Sequence, residues 1–183
     1  MASPVRVSLA LIALVFAPTV RPLDAQWMAI HTDLKPRVIR RAEGERRYHE
    51  DGRFILLKVG PTTTGASYLF MGYEDIPPGA MIPLHQHEVD EEILIVQRGR
   101  VQVVLDRDSS IAMAGDAVFL PPRSRVSVRT VGRDTASIFF VFPRASVERC
   151  FQFGGRGEGQ TAEPVMTRAD TLEALRVCQT TYF

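Results

Sequence analysis

Gly79-Ala-Met-Ile-Pro-Leu-His85-Gln-His87-Glu-Val-Asp-Glu-Glu92-Ile-Leu-Ile-Val-Gln-Arg-Gly99 is the most informative stretch of this 183-residue chain. Two of the chain's four histidines stand in it, two residues apart. In an extended segment that spacing turns both imidazoles to one face, close enough to share an ion. Glu92 has the wrong parity to join them on a straight strand, so it does so only if residues 88–91 turn or bulge. The acidic residues there suit a turn. Two imidazoles and a carboxylate fit Fe(II), Mn(II), Ni(II), Zn(II) or Cu(II), with open positions left for water or a substrate. Glu91, which shares the parity of His87, is the alternative carboxylate. On spacing alone, His85 and His87 are equally well read as surface histidines or as ordinary hydrogen-bonding groups.

Working outward, short β-branched and aromatic runs predict strands over 54–59, 67–73, 92–97, 100–105, 117–120, 125–131 and 136–142. Turn chemistry separates them: Gly65, Pro77-Pro78-Gly79, Arg98-Gly99, Asp106-Arg107-Asp108, Gly115-Asp116, Pro121-Pro122 and Gly132-Arg133-Asp134. Many short strands with no helical period between them predict an all-β jelly roll rather than a βαβ fold. Before it, residues 26–52 read as an N-terminal arm carrying Arg37, Arg40, Arg41, Arg46 and Arg47, a solvated cluster. After it, residues 144–183 read as a linker and tail. Gly154 to Gly159 is flexible and polar; Thr167 and Asp170 then cap a short helix whose Leu172, Leu175 and Cys178 face the barrel.

The central stretch resembles the first signature of the cupin superfamily, G-x5-H-x-H-x4-E-x6-G, with Gly79, His85, His87, Glu92 and Gly99 in register. Residues 115–126 resemble the second, G-x5-P-x-G-x2-H, through Gly115 and Pro121. Arg123 stands where that pattern has glycine, and Val126 where it has the fourth metal ligand, histidine. The resemblance covers residues 54–143 and implies a double-stranded β-helix barrel, placed here at 53–143, with its metal inside. It also implies a homodimer. An isopropyl group offers no lone pair, so Val126 leaves a three-ligand site with one apolar side, His85, His87 and Glu92 being the ligands. Arg123 and Arg125 flank the barrel mouth, as solvated residues rather than as binders of a ligand carboxylate. Phe119, Phe139, Phe140 and Phe142 divide between pocket and core.

The ends bear on location. Arg6 followed by the apolar run from Leu9 to Ala17, too short to anchor a membrane helix, reads as a signal peptide over residues 1–25, cleaved after Ala25. Its removal takes Arg6, Arg21 and Asp24 and leaves the two charge signs balanced, with no basic stripe for nucleic acid or an anionic membrane. A secreted or periplasmic location then suits the only two cysteines, Cys150 and Cys178. They are either disulfide-bonded, worth about 3 to 4 kcal/mol by chain entropy, or two buried thiols. Three functions stay open on the sequence: a dioxygenase-like metalloenzyme acting on a small organic molecule, a metal-poor module that binds such a molecule, and a structural role in the envelope.

Overall fold

A computed structural model describes residues 34–183. The predicted leader, 1–25, and the first part of the arm, 26–33, lie outside the described residues. The strands are β1 Glu45–Tyr48, β2 Phe54–Val59, β3 Phe70–Ile76, β4 Met81–His87, β5 Glu92–Arg98, β6 Arg100–Leu105, β7 Asp108–Met113, β8 Ala117–Leu120, β9 Arg125–Thr130, β10 Ala136–Phe142, β11 Arg156–Gly157 and β12 Thr180–Tyr182. They form two antiparallel sheets, ordered β11-β1-β2-β3-β10-β5-β8 and β12-β4-β9-β6-β7. The expected jelly roll is therefore the fold.

Alternation decides which side chains meet inside. In β5, Glu92, Leu94 and Val96 are buried while Ile93 and Ile95 face out. Ile138, Phe140 and Phe142 of β10 and Val126 and Val128 of β9 join them in one core. Strand β2 is buried on both faces because the arm crosses its outer side, where Lys58 donates to the carbonyls of Arg40, Arg41 and Glu43. Gly79 and Gly99, both signature positions, have φ of 91° and 76°, which a side chain would strain.

Several elements differ from the sequence expectation. The arm contains β1, which pairs with β2 and extends the sheet. The stretch expected as a flexible linker holds β11, paired to β1 at Arg47 and Tyr48. Strand β3 begins at Phe70 rather than residue 67 and runs on through Glu74 and Asp75, acidic residues that hide a strand from a hydrophobic pattern. Strand β7 is polar because it is the sheet's outer strand, where no second neighbour demands alternation.

The tail begins with a 3-10 turn, Ala145–Val147, and helix α1, Glu148–Phe153. Helix α2, Arg168–Cys178, starts on the expected Thr167–Asp170 capping box. Its Leu172 and Leu175 are exposed, so the helix does not bury the face expected of it. A disulfide joins Cys150 of α1 to Cys178 of α2, with Cα atoms 5.4 Å apart. Among the described residues no helix is long and apolar enough to cross a membrane.

Candidate metal centre

Strand β4 carries His85 and His87 on one inward face, their ring centroids 5.0 Å apart. The chain then crosses through residues 88–91 to the other sheet, which it joins as β5, whose first residue is Glu92. That turn supplies the change of parity the carboxylate needs. It is pinned from several sides. Asp90 is buried and takes Arg144 Nε at 2.8 Å, and Arg144 also donates to the Val177 carbonyl at 2.9 Å. The Arg123 N–H donates to the His87 carbonyl at 2.7 Å, and the Glu88 N–H to that of Gln179 at 2.8 Å. One ligand atom from each of His85, His87 and Glu92 then lies within 4.8 Å of the others. Glu91, the alternative, is exposed.

Proton bookkeeping at the two imidazoles fixes which nitrogen is free. His85 Nδ1 lies 2.8 Å from the Pro83 carbonyl, which can only accept, so Nδ1 carries the proton. The Thr180 hydroxyl gives its single proton to the Cys178 carbonyl at 3.0 Å and so accepts from His87 Nδ1–H at 3.0 Å. Both rings therefore present an Nε2 lone pair, the form a metal takes, with an outer partner holding each ring in place. Burial also holds His85 below its usual pKa, which keeps it neutral.

Glu92 is 5% exposed and its Oε2 lies 3.4 Å from His87 Nε2, so in the neutral ring a carboxylate oxygen and a nitrogen lone pair face each other with no proton between them. A carboxylate this buried calls for a cation. The donor set thus suits a divalent transition ion with positions left open.

Around the triad lies a cavity of about 430 Å³ with largely apolar walls, including Leu94, Val126, Val128, Phe140, Phe142 and Phe151. Val126, 1% exposed, stands directly opposite His85 in the β4–β9 register. The tail closes the same cavity: Tyr182 stacks on His85 at 5.6 Å, and Thr180 holds His87. Of the phenylalanines named from sequence, Phe140 and Phe142 line the cavity. Phe119 instead lies 59% exposed on the outer face, and Phe139 packs outward on Tyr73. Arg123 and Arg125 stay on the surface, near Glu88 at 3.8 Å and over the Phe183 ring at 4.2 Å.

Sequence reasoning gave no role to Thr180, Tyr182, Asp90, Arg144, Arg53 or Glu74. The first two act on residues more than ninety positions away, for which no local pattern exists. Asp90 is concealed in an acidic run that reads as solvent-facing. Glu74 carried a usable signal, a carboxylate within an otherwise inward-facing strand.

A cupin-domain family model matches residues 72–142. The protein named polyketide synthase CurC, of Streptomyces cyaneus, is 33% identical over 109 residues, covering 58% of this chain and 69% of that protein. Among solved structures, KdgF from Halomonas sp. superposes with a TM-score of 0.52 at 21% identity, over 60% of this chain and 96% of that one. The oxalate decarboxylase of Lactobacillus farciminis, in its formate complex, gives a TM-score of 0.50 at 19% identity, over 55% of this chain and 31% of that one. At such identities these two structures speak for the fold, not for the reaction.

Proposed function

Since this chain belongs to the cupin superfamily, we propose that it is an exported metal-binding cupin whose His85, His87 and Glu92 hold one divalent transition ion, Fe, Mn, Ni, Zn or Cu, beside a cavity for a small organic molecule. The carrying observation is that both imidazoles are tied through Nδ1 and offer Nε2 next to a buried carboxylate. When bound, the ion supplies Lewis acidity or an oxygen-binding centre, and the reaction class we assign is dioxygenase-like. The chain's own part is to orient the ligands, to keep His85 neutral and, through the apolar walls, to exclude bulk water. That CurC is named a polyketide synthase agrees with an organic molecule as occupant.

Export rests on the leader-like residues 1–25, and the balanced charge that remains argues against nucleic acid or a membrane surface as partner. A second copy of the chain would pack on the outer face of β5 and β8, where Ile93, Ile95 and Phe119 are exposed together. One observation favours a second reading, a module that binds its molecule without metal: Val126 faces the cavity where a fourth ligand would stand.

Untagged protein recovered from the periplasm or medium of its native host tests these readings together. We expect one transition ion per chain by elemental analysis, an intact mass beginning near Gln26, and sedimentation as a dimer. Metal-free protein would favour the second reading, a full-length mass would overturn export, and a monomer would overturn self-pairing.

A further inference from the structure

A molecule held only at the ion would leave the other polar groups of the cavity unread. Arg53 and Glu74 belong to the same cavity wall as the triad. Glu74 is buried, and its Oε1 accepts from Arg53 Nη1 at 3.1 Å, while Arg53 Nε goes to Asp51 at 2.7 Å. No hydrogen bond to the second Glu74 oxygen is present among the described residues. Burial outweighs the Arg53 charge and pushes Glu74 up to about 7, so its carboxyl can accept or donate near neutrality.

Register sets this pair on a different rung from the triad, although the two groups still feel each other: besides burial, the Arg53 charge helps to lower His85 and the Glu92 charge helps to raise Glu74. Glu74 pairs with Ile138, which pairs with Val96, and Val96 lies four residues from Glu92 along β5. Leu94, Ile138 and Phe140 fill the wall between, with Phe140 stacked on Phe151 at 4.6 Å. The triad and this pair thus share one cavity, with apolar and aromatic wall between their rungs. Its 430 Å³ is within the range of sites that enclose small organic molecules.

We propose that Arg53 and Glu74 form a second binding station, and that the occupant is a rigid, ring-containing, largely apolar molecule with a neutral oxygen function at each end. One oxygen meets the ion and the other meets Arg53 and Glu74; only the first half rests on the metal-centre reading. The chemistry of the station selects the neutral group. An anion there would face Asp51 and Glu74, a cation would face Arg53, and a hydroxyl or carbonyl can pair with either partner. The aromatic walls favour a ring, which also loses little freedom on binding.

The test titrates 2-naphthol and 2,6-dihydroxynaphthalene, followed by their fluorescence, into full-length protein, metal-free and Ni(II)-loaded. It compares wild type with Arg53→Met/Glu74→Leu, which exchanges the ion pair for apolar side chains of similar length. Metal-free wild type should bind 2-naphthol about tenfold or more tighter than the double variant does, as expected for a hydrogen bond to a charged group. Ni(II)-loaded wild type should in turn prefer the dihydroxy compound by about tenfold. Equal affinity of wild type and variant for 2-naphthol, or no binding by either, overturns the station. Should the variant not fold, metal-free wild type must still prefer 2-naphthol to 1-methylnaphthalene, and equal affinity overturns the proposal. Wild type that takes up no Ni(II) yet binds 2-naphthol through the station would overturn the metal reading and uphold this one.

Discussion

Across the β4–β9 pairing His85 faces Val126, so neighbouring strands place an imidazole and an isopropyl group on the same rung of the sheet. The β4–β5 connection, which crosses from one sheet to the other, keeps both the backbone frame and the donors of its signature. The β8–β9 connection keeps the frame alone: Gly115 retains its turn, and Arg123, where glycine is the pattern, still adopts φ of 67°. Backbone demand and ligand demand are therefore separable in this fold. The first can persist in a segment from which the second has gone, because the turn is needed to carry the chain from one sheet to the other whether or not an ion is held.

That contrast can be broken most severely from its donor-bearing side. His85→Ala should weaken Ni(II) or Mn(II) binding by more than about a hundredfold, since removal of a ligand exceeds the 10–100-fold loss that follows removal of an outer partner. Calorimetric titration of the metal-free protein reads this directly, and unchanged affinity would end the distinction between the halves. Restoring the donor on the other side should have a smaller effect of opposite sign. Val126→His should tighten the same titration by about tenfold or more, at some cost in stability of the metal-free form, where a polar ring is buried. A folded Val126→His protein that binds no better would mean that this rung does not face the ion.

The smallest effect is expected at the turn. Arg123→Gly removes a left-handed conformation that costs a side-chain-bearing residue about 1–2 kcal/mol, partly offset by the greater freedom of glycine when unfolded. Thermal unfolding should show a gain of less than about 1 kcal/mol with metal affinity unchanged. A loss of stability would show that the exposed contact with Glu88, 3.8 Å away, outweighs the strain.

How much of this was legible follows from how local each feature is. His85, His87 and Glu92 lie within eight residues of one another, and strand parity together with one turn accounts for their meeting. The barrel was legible through short β-branched and aromatic runs, those of β5 and β10 among them, and through the turns between strands. The paired Cys150 and Cys178 could be anticipated from their isolation, although not their place between α1 and α2. Strand β7 was hidden because an outer strand need not alternate, and β12 because three residues are too few to show a period. Arg53, just before β2, and Glu74 of β3 meet only once the pairing of those strands is set. The hold of Thr180 on His87 joins positions 93 residues apart, which composition and spacing do not encode.

That same short strand has a consequence for solubility. Without β12, β4 would be the free edge of its sheet, with unpaired N–H and C=O groups beside the two histidines and open to strand addition by another chain. The disulfide ends two residues before Thr180 and keeps the covering segment next to that edge. Three residues thus guard against edge-to-edge aggregation at the place where a bare backbone would be most exposed, and they do so with the side chains that orient the centre.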